Sequence, residues 1–103
     1  MEVTIESMVE RWNSLDKPLI RGSLIDDDGR KCAQGDVLSC AGWSDDALRR
    51  MDQYTADAEV ARILGISRTH AVLLRMVGDY GEGEADDVLR APEKIGNYIF
   101  NSL

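Results

Sequence analysis

The sequence predicts a mainly α-helical single domain over residues 1–103, a compact bundle of about five short helices. Two observations predict this class: apolar residues recur at helical spacing in several segments, and Gly, Pro and capping residues separate those segments. A chain of 103 residues also has the usual size of one domain, because two cores would each bury too little apolar surface. The composition, 44% hydrophobic and 30% charged, is typical of folded globular proteins.

The first helix is predicted over residues 4–15. Thr4 can cap its first turn, and Pro18 ends it because proline disfavours helical backbone in the residue before it. Helical spacing places five apolar residues on one face: Ile5, Met8, Val9, Trp12 and Leu15.

Three further segments follow before residue 55. The Asp28-Gly29 step lies between apolar segments, which predicts a turn and allows a small β-hairpin near residues 19–33. Residues 32–41 are too short for periodicity to separate strand from helix, and we favour a helix closed by Gly42. Ser44 then caps a short helix with acids at its start and bases at its end, and Trp43 lies where a hydrophobic staple would pack.

Charge is distributed unevenly around a formal net value of −7. Residues 1–54 hold 11 acids and 7 bases, residues 55–77 hold 2 and 3, and residues 78–103 hold 6 and 2. Only the middle segment is not acidic. Such a charge opposes binding to nucleic acid and to membrane surfaces, which are both polyanions, and favours a basic partner.

Few residues suit catalysis, metal binding or export. His70 is the one histidine of the chain, and no nucleophile pairs with it in a known pattern. Cys32 and Cys40 with one histidine do not supply a four-ligand zinc site, so we expect buried thiols, no metal and no cofactor. No apolar run approaches the length of a membrane span, and the acidic N-terminus is unlike a secretory signal. We therefore expect a cytoplasmic protein that is not an enzyme.

Residues 55–77 predict two helices joined by a tight turn. Thr55 can cap the first helix, Gly65 ends it, and Ser67 can cap the second. The segment resembles the helix-turn-helix superfamily in three positions: a small residue in the first helix, a glycine at the turn and an apolar residue after it. In this sequence those residues are Ala61, Gly65 and Ile66.

The resemblance implies which residues of the second helix would face DNA. Ser67, Arg68, Thr69 and His70 suit that role, since arginine binds guanine and hydroxyl groups contact phosphate. Further along, the same face would carry apolar residues that do not read bases. These are Val72, Leu73 and Met76. A helix that is apolar on most sides is generally buried, so a packing role explains the segment equally well.

The last quarter of the chain predicts a loop and a terminal helix. Three glycines and several charges indicate a loop over residues 78–84. We expect one helical turn over residues 86–90. Pro92 suits the start of a final helix. Its apolar face would dock on the core or form a homodimer, and comprises Ile95, Tyr98, Ile99 and Leu103.

Function is predicted in two alternative forms. The leading one is a non-enzymatic binding module for another, basic protein, and the chain is similar in general character to small accessory proteins of phages and mobile elements. A mimic of nucleic acid directed at a nucleic-acid-binding complex is a special case of it. The alternative is a dimeric helix-turn-helix DNA-binding transcriptional regulator. The expected protein-binding patch is acidic and consists of Asp79, Glu82, Glu84, Asp86 and Asp87.

Overall fold

Four helices organise the computed structural model, which describes residues 2–14, 19–20, 22–69, 71–72 and 74. They are α1 (Ile5–Asn13), α2 (Ala33–Cys40), α3 (Asp45–Arg50) and α4 (Gln53–Leu64). Helical backbone is present again at residues 68, 69, 71, 72 and 74, and we call this segment the second helix of the pair. The protein is mainly helical, as predicted, whereas the count of five helices is not established by the described residues.

Helix α1 begins with a reciprocal cap. The hydroxyl of Thr4 accepts a hydrogen bond from the backbone N–H of Ser7, and the Ser7 hydroxyl accepts one from the N–H of Thr4. This capping box satisfies two backbone donors at the helix start, and it confirms the predicted role of Thr4. The helix ends at Asn13, and the predicted end near Leu15 and Pro18 lies outside the described residues.

The predicted hairpin near residues 19–33 is reduced to a turn with one β-bridge. Asp26 accepts a hydrogen bond from the N–H of Gly29, whose φ is +80°, so the turn forms as predicted. In residues 19–20 and 22–33, however, Ile25 and Lys31 form a single isolated antiparallel bridge and no strand. The pairing stays short because Gly22 adopts a φ of +82° on one side and helix α2 begins at Ala33 on the other.

Residues 32–41 form a helix, as we favoured. The Cys32 sulfur accepts a hydrogen bond from the N–H of Gly35 and caps α2. Gly42 follows its end with a φ of +108°, a left-handed conformation that glycine adopts without steric cost. The next helix, α3, is capped by Ser44, and Trp43 packs against the core.

Helix α4 begins earlier than predicted, and Thr55 is not its cap. Asp52 is the N-cap residue, and its carboxylate accepts a hydrogen bond from the N–H of Thr55. The prediction was wrong because Asp52 also has a strong capping side chain, and Gln53 and Tyr54 extend the helix by two residues before Thr55. Gly65 ends the helix with a φ of +67°, as predicted.

The core forms around α2, which contacts both α3 and α4. Every residue from Ala33 to Leu38 is buried. Gly35 allows this close packing, since a Cβ atom there would collide with the backbone carbonyl oxygen of Leu24. The other elements contribute buried side chains that cover α2, among them Met8, Trp12, Leu48, Ala56, Val60, Ala71 and Leu74.

Candidate binding surface

The helix pair presents the start of its second helix to solvent. After Gly65, the N–H of Ile66 returns to the carbonyl of Ala61, and the N–H of Ala71 donates to the carbonyl of Ser67. Ser67, Arg68 and Thr69 are exposed, so three of the four predicted DNA-facing residues lie together at the surface. The fourth, His70, lies outside the described residues.

Two apolar residues of the same helix point the other way. Ala71 and Leu74 are buried in the core, while Val72 is half-buried. The second helix therefore has a buried face at residues 71 and 74 and an accessible one at residues 68, 69 and 72. Leu73 and Met76, which the sequence placed beside Val72, lie outside the described residues.

Tyr54 and Arg68 form a stacked pair on this surface. The Arg68 guanidinium carbon lies 3.5 Å from the centroid of the Tyr54 ring, which is the geometry of a cation–π contact. Tyr54 is 67% exposed, and no other large hydrophobic side chain among the described residues is exposed to solvent. The contact links the first turn of α4 to the first turn of the second helix, and sequence patterns did not reveal it.

A second exposed arginine lies on α4. Arg62 forms an ion pair with Glu59 at 2.7 Å, and that hydrogen bond raises the pKa of Arg62. Its charge is thereby partly offset by a residue of its own helix. We define the pair face as the exposed residues of both helices that flank the stack: Tyr54, Thr55, Ala58, Arg62, Ser67, Arg68 and Thr69.

A buried amide network holds the pair in place from below. Gln34 is fully buried, and its Nε2 donates to Asp57 Oδ1 at 2.8 Å and to the carbonyl of Ala71 at 2.9 Å. Gln53 Nε2 donates to Gln34 Oε1 at 2.6 Å and to Asp57 Oδ1 at 2.9 Å. One side chain of α2 thus binds both helices of the pair, and buried polar groups satisfied in this way fix a packing arrangement.

A second buried carboxylate connects α1 with α2. Asp36 accepts hydrogen bonds from Arg11 Nε at 2.8 Å and Nη2 at 2.9 Å, and from the Trp12 indole N–H at 2.8 Å. The bond to Asp36 raises the pKa of Arg11. With these three donors bound to its oxygens, Asp36 ties α1 to α2.

A groove lies beside the pair face, between the end of α3 and the residues before the turn. Its volume is about 250 Å³. Arg49 is held there only loosely, by contacts of 3.9 Å to Asp46 and 3.5 Å to the carbonyl of Asp26. The groove is lined by Ser23, Leu24, Ile25, Leu48, Arg49, Met51 and Gln53.

The part of the chain that the structure describes contains no group of three or more His, Cys, Asp or Glu residues that could hold an ion. Cys32 and Cys40 are free thiols, the first buried and the second half-buried, in line with the expectation of core cysteines. No helix among the described residues is long and apolar enough to cross a membrane.

Two predicted interaction sites fall outside the described residues. One is the acidic patch, Asp79, Glu82, Glu84, Asp86 and Asp87, and the other is the terminal apolar face, Ile95, Tyr98, Ile99 and Leu103. The predicted loop over residues 78–84 and the predicted helix from Pro92 also lie outside the described residues.

Comparison with known proteins gives no match: no family model, no curated protein and no solved structure is similar to this chain.

Proposed function

We propose that this protein is a small non-enzymatic binding module that docks on another protein through the pair face. The observation that supports it is the Tyr54–Arg68 stack. Tyrosine and arginine are enriched among the residues that dominate binding energy at protein interfaces. A ring held in place by a guanidinium also loses little conformational freedom when a partner covers it.

The acidic patch at residues 79–87 extends this proposal. An acidic surface steers a basic partner into contact and raises the association rate. A partner that itself binds nucleic acid would suit a domain of net charge −7, and the protein would then act as a phage-type inhibitor or mimic of nucleic acid. We place its action in the cytoplasm.

Photo-crosslinking tests the proposed contact. A benzophenone amino acid replaces Tyr54 in the full chain, expressed in cells of its source organism, and the control carries the same group at Glu10, which is exposed on α1. We expect one protein to be crosslinked from position 54 and not from position 10. Tyr54→Ala should then weaken binding of the purified partner by roughly tenfold or more, as for other interface tyrosines.

Two results would contradict the docking surface. Either the same products form from both positions, or Tyr54→Ala binds the partner as tightly as the unchanged protein.

The acidic patch is tested separately by changing Glu82, Glu84, Asp86 and Asp87 to their amides. We expect slower association, with an effect that shrinks as salt rises.

Sequence-specific DNA binding is the second candidate. It is supported by the exposure of Ser67, Arg68 and Thr69 at a helix start while Ala71 and Leu74 pack inwards. A regulator of this kind would bind as a dimer, for which the terminal apolar face could supply the contact. The acidity of the chain argues against it, because the protein would have to approach a polyanion.

Retention on duplex DNA at low salt distinguishes the two candidates. The regulator requires salt-dependent retention that Arg68→Ala reduces, whereas Arg30→Ala, which removes an equal charge from the turn, leaves it unchanged. Absence of retention, or equal loss in both variants, would eliminate DNA binding by this helix. A crosslink from position 54 to nucleic acid alone would instead favour it over the protein partner.

A further inference from the structure

The short β-bridge has one backbone edge to which none of the described residues is hydrogen-bonded. The N–H of Asp26 donates to the carbonyl of Arg30 at 2.8 Å, and the N–H of Cys32 donates to the carbonyl of Leu24 at 3.3 Å. These two bonds flank the Ile25–Lys31 pair, which is the non-hydrogen-bonded type of antiparallel pairing. In such a pair, the N–H and C=O of Ile25 point away from Lys31.

Neither backbone group of Ile25 makes a hydrogen bond with the described residues, although Ile25 is only 8% exposed. On the opposite side, the carbonyl of Lys31 is bound by the N–H of Ile20 at 3.1 Å. The order across the bridge is thus Ile20, Lys31, Ile25 and then an open edge. An open edge presents unpaired donors and acceptors that a further strand can use.

This edge lies along the groove. Ser23, Leu24 and Ile25 all line it; residues 23 and 24 are bends in the backbone, so the edge itself consists of the N–H and C=O of Ile25. The groove is smaller than the usual pocket of a small-molecule ligand. An extended main chain that crosses it is the better fit.

Arg49 defines the chemistry of the occupant. It lines the groove at the same place, and its two contacts are long for charge-assisted hydrogen bonds. A carboxylate would bind its guanidinium more closely. Gln53, also on the groove, has its Nε2 bound to Gln34 and Asp57, so Arg49 is the better donor for a carboxylate there.

We propose that the protein partner, although basic overall, adds an extended segment as a strand to the backbone edge at Ile25, with one Asp or Glu side chain of that segment on Arg49. This deepens the proposed function and rests on it, since Met51 and Gln53 connect the groove directly to Tyr54. Main-chain hydrogen bonds would supply affinity, and the arginine would select the carboxylate, as in other cases of strand addition.

The probe is a displayed library of random octapeptides, selected against the full chain with the Arg49→Glu variant as a counter-target. We expect enriched peptides with an acidic residue in a β-favouring stretch. Arg49→Glu should weaken their binding roughly tenfold or more. The matched control is Arg50→Glu, a neighbouring exposed arginine that does not line the groove, and it should have little effect.

Backbone readouts separate strand addition from other modes of binding. Ile25 offers one carbonyl to an N–H of the peptide, so N-methylation along the peptide should weaken binding most at one position. The Ile25 amide should exchange quickly in the free protein and slowly in the complex. No enrichment, a uniform N-methyl scan, or slow exchange of Ile25 in the free protein would overturn the inference. If a partner crosslinked at position 54 binds the Arg49→Glu variant as tightly as the unchanged protein, the proposed function stands and this inference is refuted.

Discussion

The carboxylate of Asp36 binds the guanidinium of Arg11 through both of its oxygens. The same carboxylate accepts the indole N–H of Trp12, and both Trp12 and Asp36 are buried. Residues that are adjacent in α1 are thus fixed to one position in the first turn of α2. This arrangement orients α1 on the core, and it should contribute measurably to stability.

We expect Asp36→Ala to lower the free energy of unfolding by roughly 2–3 kcal/mol, because it leaves the buried indole N–H of Trp12 without an acceptor and removes the ion pair with Arg11. Urea denaturation measures the change. The control is Asp45→Ala, which removes an exposed carboxylate 3.5 Å from Lys31 and should cost less than about 1 kcal/mol. Equal effects of the two substitutions would refute the role given to Asp36.

Gly35→Ala should be among the most damaging single substitutions in the chain. The added methyl group would overlap the carbonyl of Leu24, and backbone cannot move aside as a side chain can, so we expect a loss of about 3 kcal/mol or more. Gly42→Ala is the comparison, because it strains a positive φ in open space and should cost about 1–2 kcal/mol. A Gly35→Ala protein as stable as Gly42→Ala would contradict the close packing of α2.

The N-cap of α4 predicts a pH dependence. Hydrogen bonds from Thr55 lower the pKa of Asp52, so the folded state favours the carboxylate. Its contribution to stability is present above the ordinary aspartate pKa and is lost as the pH falls through the lowered one. Asp52→Ala should therefore destabilise the protein near neutral pH and less in acid. The control Asp27→Ala removes an exposed carboxylate from the turn, and if it reproduces the same pH profile, the cap is not the cause.

Cys40 should react slowly with alkylating reagents. Burial raises the pKa of its thiol, and the nearby Asp36 carboxylate raises it further, which reduces the reactive thiolate. We expect the pH midpoint of iodoacetamide labelling to lie above that of an unstructured peptide with the sequence of residues 38–42. Cys40→Ser measures the background from buried Cys32. A midpoint at or below that of the peptide would disagree with the burial of Cys40.

Local rules predicted the helix ends well. Thr4, Ser44 and Gly65 have the capping roles that their side chains or backbone freedom indicate. The prediction for Thr55 was wrong because Asp52 and Thr55 are both capping residues three positions apart, and the sequence alone does not show which one starts the helix. The Asp28-Gly29 step predicted the turn but not how soon the adjoining pairing would stop.

Long-range polar contacts were beyond sequence reasoning. Nothing local distinguishes Gln34 or Asp36 from a solvent-exposed helix residue, and only the tertiary fold places them opposite Asp57 and Arg11. The Tyr54–Arg68 stack and the open edge at Ile25 arise in the same way, from separate segments brought together. Composition could therefore indicate a binding protein, while the surfaces that would bind required the fold.

The bond from Gln34 to the carbonyl of Ala71 makes the second helix of the pair depend on α2. If α2 frays, the second helix loses an anchor of its first turn at the same moment, so the two segments should open as one cooperative unit. Hydrogen exchange would then report similar opening energies for the amides of α2 and for Ala71. A partner bound to Arg68 would stabilise the second helix. Through the Gln34 amide it would also slow the opening of α2, at the centre of the core.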